Sequence, residues 1–211
     1  MAERVTSTAA PPSQPSPVDA TRWLLDVGER GNDTTDLDRR HASGLPWTPG
    51  NQVTVIGQNA ATIAPGADIG IHATAGNLYV RGLTVSGGLD IGIVADGTAV
   101  IALDRCTVSG NKGGILLHGA TFDIENTTII NNAPSPDLTW GGVRIENQAD
   151  AGVARLKRLT VQGNDPSGVS CMTPVADVSD VLVSGNRSGD ISPTCGFSSC
   201  TTATSPTCGA P

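Results

Sequence analysis

The sequence is poor in aromatic residues, in charge and in long hydrophobic runs. Of its 211 residues, 3% are Phe, Trp or Tyr and 16% are charged, whereas globular domains average about 25% charged residues. The chain therefore differs from disordered proteins, which combine low hydrophobicity with high charge. No apolar run approaches the roughly 18 residues that a membrane-spanning helix needs, so we expect no membrane span.

Basic residues are in the minority. The 13 Lys and Arg residues face 20 Asp and Glu residues, which gives a formal net charge of −7. Such a chain repels a phosphate backbone, so we expect no nucleic-acid partner. The one small basic cluster, Arg155, Lys157 and Arg158, is typical of ion pairing on a solvated surface.

The five cysteines include no CxxC pair, and the three histidines are scattered along the chain. We therefore predict no metal site and no resident cofactor. Cys106 takes a position where other repeats place Leu or Val, so we interpret it as a small buried hydrophobe. The other four are disulfide candidates, with unpaired thiols as the alternative: Cys171, Cys195, Cys200 and Cys208.

Clustered cysteines in a Gly/Ser/Thr/Pro-rich segment favour one or two disulfides and an oxidising compartment. Four cysteines allow three pairings, which the sequence leaves open. Although the N-terminal residues show no apolar secretory signal, composition and cysteines together favour an extracellular or cell-surface location.

What the chain does have is a repeat of about 22 residues. Its anchor is a β-branched residue, and successive anchors are separated by 22, 23, 21, 32 and 22 residues: Ile63, Val85, Val108, Ile129, Val161 and Val183. Thr precedes all but the last of them. An Asn follows the later anchors at a distance of three residues: Asn111, Asn132, Asn164 and Asn186. Further on comes a Gly-apolar step, such as Gly92–Ile93.

Apolar residues alternate within each unit, which indicates short strands rather than helices. No unit has room for a crossover helix, so each strand must pair with its counterpart one repeat later, about 4.8 Å away. The result is a parallel solenoid, in which the Asn residues would stack as a ladder. The leucine-rich repeat has a similar period, but its LxxLxLxxN pattern is absent.

On these repeats, the chain resembles right-handed parallel β-helix proteins of the pectate-lyase-like superfold. The resemblance covers about 51–195 and implies an all-β fold of about six coils. For residues 1–50 the sequence predicts a Pro/Ser/Thr-rich, largely irregular arm. Within it, 18–30 have the pattern of a short capping helix. Residues 196–211 form a Cys/Thr/Ser-rich tail. The insertion at 133–140 predicts a projecting loop.

A solenoid converts sequence spacing into rows on its surface. The repeat register stacks Asp96, His118 and Glu146 on consecutive coils, with Arg144 two residues from Glu146. These three side chains are our candidates for general acid and base catalysis. Arg144 and Trp140 are candidates for substrate binding, to a uronate carboxylate and to a sugar ring respectively. The alternative is a solvated outer face with ordinary cross-strand charge pairing.

The family comparison gives the enzymatic interpretation little support. Polygalacturonase-type hydrolases of this superfold carry Asp-Asp and Gly-His-Gly motifs, and the chain has neither. Pectate lyases collect carboxylates around calcium, and no such loop is present; calcium is a possible cofactor only if the protein is a lyase. The Thr row also resembles ice-binding surfaces, although Thr suits outward strand positions in any case.

Two functional hypotheses remain. The first is a secreted or cell-surface protein, non-catalytic, with a structural, adhesive or carbohydrate-binding role and a polysaccharide or surface glycan as partner. The second is a polysaccharide lyase, hydrolase or epimerase that acts on an acidic glycan through Asp96, His118, Arg144 and Glu146. No continuous apolar outer face is evident, so we expect a monomer.

Overall fold

The computed structural model describes residues 33–38, 52–58, 61–133, 137–146 and 154–198. Within these ranges the protein is almost entirely β-structure, and no helix there is long and apolar enough to cross a membrane. The strands are β1 Asp33–Asp38, β2 Gln52–Gln58, β3 Thr62–Ile63, β4 Ile71–Arg81, β5 Thr84–Ser86, β6 Ile91–Asp104, β7 Thr107–Ser109, β8 Gly113–His118, β9 Thr121–Glu125, β10 Thr128–Ile130, β11 Val143–Glu146, β12 Ala154–Lys157, β13 Thr160–Gln162, β14 Ser167–Cys171, β15 Asp177–Ser179, β16 Leu182–Ser184 and β17 Gly189–Ile191.

These strands stack in parallel into a solenoid with three faces. The first face contains the start of β4, the start of β6, then β8, β11, β14 and β17. The second face contains β1, β2, the ends of β4 and β6, then β9, β12 and β15. The third face is a separate sheet of six short strands, from β3 to β16. Its six strands delimit five complete turns, close to the six coils predicted.

Apolar side chains from all three faces fill the interior. The anchor residues, from Ile63 at 0% to Val183 at 2% exposure, form one side of this core. Their alternation with half-buried neighbours on the third face follows from the two-residue period of a strand. Paired in register along that face are the predicted Thr residues: Thr62, Thr84, Thr107, Thr128 and Thr160.

Each coil turns through two left-handed backbone positions that flank the third-face strand. The first carries positive φ at Gly82, Arg105, Asn126, Arg158 and Asp180. The second carries positive φ at Gly87, Gly110, Asn131, Gly163 and Gly185. Left-handed residues reverse the chain sharply, and Gly and Asn tolerate them best. This geometry explains the break in strand alternation between residues 80 and 83.

The Gly of the Gly-apolar step is needed for a close approach between coils. A Cβ atom on Gly168 would lie 2.5 Å from Nδ2 of Asn186 and from Cγ1 of Val183. No side chain fits at that distance, so Gly lets the first face start directly against the Asn ladder.

The two ends of the solenoid differ: a strand is added at the N-terminal end, and a disulfide and an aromatic side chain cover the C-terminal end. Strand β1 pairs with β2, so the parallel sheet includes 33–38, within the arm that the sequence predicts to be largely irregular. The helix predicted at 18–30 lies outside the described residues. At the other end a disulfide joins Cys171 to Cys195, and Phe197 lies against the core. Cys200 and Cys208 lie outside the described residues.

Candidate functional site

The first face places Asp96, His118 and Glu146 at paired positions of three neighbouring strands. Asp96 of β6 is in register with His118 of β8, and His118 is in register with Glu146 of β11. Because side chains alternate along a strand, all three project from the outer surface. The carboxylate–imidazole–carboxylate row predicted from the repeat is thus present as an arrangement of residues.

A second histidine joins this row. Nε2 of His72 lies 2.7 Å from Oδ2 of Asp96, and Nδ1 of His118 lies 3.7 Å from the other carboxylate oxygen. Asp96 is therefore flanked by an imidazole on each side. In the strand register His72 lies in the adjacent row, level with Val94. A register shift between Ala73 and Ala75 disturbs that simple alternation.

Arg144 orders the other end of the row. Its Nε donates to Oε1 of Glu146 at 2.8 Å, and its Nη1 donates to Oγ of Ser170 at 2.6 Å. Ser170 of β14 is in register with Arg144, and sequence reasoning gave it no role. These six residues together are called the polar row: His72, Asp96, His118, Arg144, Glu146 and Ser170.

The polar row is accessible but not fully solvated. Side-chain exposure rises from 21% at Arg144 to 50% at His118. The guanidinium is therefore held by Glu146 and Ser170 while its edge still meets solvent. A preordered cation of this kind binds a carboxylate with less loss of side-chain freedom than an unrestrained one.

Trp140 does not contribute to this surface, so the predicted stacking of its ring on a sugar is wrong. The residue is only 5% exposed. A Cβ atom on Gly113 would lie 3.0 Å from the indole ring, so the ring fills the space that Gly113 leaves open beside β8. Of the predicted loop, 134–136 lie outside the described residues, and Asp137 beyond them forms a 3.6 Å ion pair with Lys112.

The second face carries a network of ion pairs that the sequence indicated only through its basic cluster. Arg155 bridges Asp123 and Asp177 at 3.2 and 2.7 Å. Arg158 pairs with Glu125 at 2.7 Å. The predicted role of the basic cluster in surface ion pairing is therefore confirmed for both arginines.

A cleft of about 240 Å³ opens beside this network. Its lining includes Tyr79 and Ala102 together with the carboxylates of Asp104, Asp123 and Glu125. Sequence reasoning missed the cleft because it depends on which outward residues become neighbours across three coils. Ala102 could have indicated the cleft, because it is a small outward residue paired with the larger Tyr79 and Asp123 on the neighbouring strands.

In the described part of the chain, no three His, Cys, Asp or Glu residues are grouped closely enough to hold a metal ion. The ligand chemistry open to the first face is hydrogen bonding and charge pairing, from imidazole, guanidinium, hydroxyl and carboxylate groups.

Fold and surface together define a parallel β-solenoid with two polar outer faces. The family model of the right-handed β-helix region matches residues 38–202, and the chain belongs to this family. No curated protein and no solved structure matches the chain significantly.

Proposed function

We propose that the protein is a secreted or cell-surface β-helix that binds an acidic glycan through the polar row and does so without catalysis. The observation that carries this proposal is the position of Arg144, which is held by Glu146 and Ser170 on an open face. A guanidinium in this setting recognises a carboxylate on a sugar, and the imidazoles of His72 and His118 supply further hydrogen-bonding groups.

The length of the polar row supports a polymer as the ligand. The row crosses five neighbouring strands, from β4 to β14, and successive strands are about 4.8 Å apart. A linear chain lying along the solenoid axis would therefore meet a polar side chain at each strand over about 19 Å. Repeated shallow contacts of this kind suit a structural or adhesive partner.

The pairing within the polar row supports binding rather than turnover. Asp96 lies between two imidazoles, and Glu146 accepts from Arg144. Cross-strand pairs of opposite charge stabilise a sheet surface, so these contacts have a structural purpose of their own. The disulfide between Cys171 and Cys195 supports an oxidising, extracellular setting, and we propose that the protein acts there as a monomer.

Affinity electrophoresis in gels that contain polygalacturonate or alginate tests this proposal. Arg144→Ala should weaken retardation of the protein at least tenfold, since it removes the cation that faces the uronate. Arg187→Ala is the matched control, because it removes the same charge from a site 77% exposed and paired only with Asp165. Equal retardation of both variants, or no retardation of the wild type, would overturn the proposal.

A second candidate function is catalysis on the same acidic glycan. Asp96 and Glu146 lie two strands apart, a spacing of about 9.6 Å between backbones. Inverting glycoside hydrolases place their two carboxyl groups about 6.5–9.5 Å apart. Hydrolysis by this pair would therefore need the two side chains to lean towards each other across His118. In a lyase or epimerase, Arg144 would hold the uronate while a neighbouring base removes the α-proton, and a lyase would bring a requirement for calcium.

A further inference from the structure

The cleft on the second face is formed by a small residue between two larger ones. Tyr79, Ala102 and Asp123 occupy paired positions on three neighbouring strands. Since neighbouring strands are about 4.8 Å apart, Tyr79 and Asp123 stand about 9.6 Å from each other. Ala102 leaves the space between them open, and this space is the cleft of about 240 Å³.

Part of the cleft lining is apolar. The side chain of Tyr79 is half-buried, and Ala102 lines the cleft beside it. A Tyr ring beside an Ala methyl group offers a flat surface to a ring with an apolar face. A volume below about 300 Å³ is smaller than sites for drug-sized ligands, so the cleft accommodates a single ring.

Another part of the lining is polar, but its charges are compensated. Asp104 pairs with Arg81 at 3.3 Å and accepts from Nδ2 of Asn126 at 2.7 Å. Glu125 pairs with Arg158 and Asp123 with Arg155. Arg105, which also lines the cleft, lies 3.9 Å from Asp104. Because the carboxylates and guanidiniums here are paired with each other, the cleft favours a neutral ligand over an ion.

Asp123 lines the cleft and supplies a carboxylate as hydrogen-bond acceptor. Its Oδ2 accepts from Arg155, whereas Oδ1 is buried and has no partner among the described residues. Burial raises the pKa of this carboxyl group, against the opposing effect of Arg155. A ligand hydroxyl in the cleft would donate to the second lone pair of Oδ2, since a carboxylate oxygen can accept more than one hydrogen bond.

We propose that this cleft binds one neutral pyranose unit, with the apolar face of the sugar against Tyr79 and Ala102 and its hydroxyl edge towards Asp123 and Asp104. The inference rests on the proposed role in glycan binding but assigns the neutral sugar to a different face. It makes the protein a two-sided binder, with acidic residues of a glycan on the first face and neutral residues on the second.

The test uses the fact that the chain has a single Tyr. Protein labelled with ¹³C-Tyr gives one ring spin system, which reports directly on the cleft. It is titrated separately with methyl β-glucoside and with neutral hexasaccharides of glucose, mannose and xylose. We expect the Tyr79 ring signals to shift and saturate with at least one neutral probe, and to remain unchanged with galacturonate oligomers.

Ala102→Leu is the decisive variant, because it fills the cleft and leaves both Tyr79 and the ion pairs intact. In this variant the neutral sugar should no longer shift the Tyr79 ring signals. Its affinity for the sugar, measured by calorimetry, should fall at least tenfold. Ser86→Leu, an outward small-to-Leu change on the third face, is the matched control and should bind as the wild type does. Unshifted Tyr79 signals with all neutral probes, or unchanged affinity in Ala102→Leu, would overturn the inference.

The two binding proposals fail in distinguishable ways. Binding of polygalacturonate that depends on Arg144, without a Tyr79 response to neutral sugars, would remove only the second-face site. A saturable Tyr79 response, with no Arg144-dependent binding of acidic glycans, would remove only the first-face function.

Discussion

Asn132 donates a hydrogen bond through Nδ2 to Oδ1 of Asn164 on the next coil, at a distance of 3.0 Å. The same Nδ2 donates to the carbonyl of Val108 at 3.1 Å. Oδ1 of Asn132 accepts from the backbone and side chain of Asn111. The pattern repeats from Asn111 to Asn186, so side-chain amides hold consecutive coils together inside the bend.

Asn132→Ala should therefore lower the free energy of unfolding by about 3 kcal/mol, because it leaves several buried polar groups without partners. Asn132 is fully buried, whereas Asn186 at the end of the ladder is half-exposed. Asn186→Ala is the natural comparison and should cost about 1 kcal/mol, since water can replace its lost bonds. Urea unfolding of both variants measures the difference, and equal losses would contradict the ladder's role.

The left-handed backbone at Arg105 should favour Gly over a β-branched residue there, although the side chain is exposed. Its φ is 55°, and its side chain is 66% exposed with only a 3.9 Å contact to Asp104. Arg105→Val should destabilise the protein by about 1–2 kcal/mol, because a β-branched residue is poorly accommodated at positive φ. Arg105→Gly should stay within about 0.5 kcal/mol of the wild type, since relief of strain offsets the entropy of Gly. Thermal unfolding distinguishes these outcomes; a Val variant as stable as the Gly variant would count against the bend.

The disulfide should stabilise the C-terminal end of the solenoid. It joins residues separated by 24 positions, and closing a loop of this length stabilises the fold by about 3 kcal/mol. We expect Cys171→Ser combined with Cys195→Ser to lower the free energy of unfolding by that amount. Treatment of the wild type with a reductant should reproduce the loss and leave the double variant unchanged. A reductant effect of equal size in both proteins would place the stabilising bond elsewhere.

Cys106 should be unreactive in the folded protein. It is the one free cysteine in the described part of the chain, and burial raises its pKa to about 11. At pH 8 the thiol is therefore protonated as well as shielded, and the thiolate is the reactive species. Ellman titration of the wild type and of Cys106→Ala should give equal thiol counts when folded and differ by one thiol in guanidinium. A difference already present in the folded state would show that Cys106 is accessible.

The repeat made much of the fold predictable. Strand positions, the in-register Thr row and the Asn ladder all follow from equal spacing, because parallel stacking aligns equivalent residues of successive coils. Strand β1 was missed, since its sequence, Asp33–Asp38, contains one large apolar residue and no repeat signature.

The site was less predictable, because it depends on packing between unlike side chains. The strand register predicted that Asp96, His118 and Glu146 share one face, and they do. Trp140 was expected to be exposed, but its ring is buried against Gly113. Val94 is only 3% exposed, and His72 and Leu116 flank it on the adjacent strands. Contacts such as His72 to Asp96 run diagonally between rows, and a repeat alignment does not contain them.

The central claim is that the polar row binds an acidic glycan and does not transform it. The most direct test incubates the wild type and His118→Ala/Glu146→Ala with polygalacturonate and alginate, with calcium present. Bound protein, new reducing ends and unsaturated-product absorbance are then measured in the same samples. The account predicts saturable binding by the wild type, weaker binding by the double variant and no product from either. Product formed by the wild type and lost in the double variant would contradict it and identify the row as an active site.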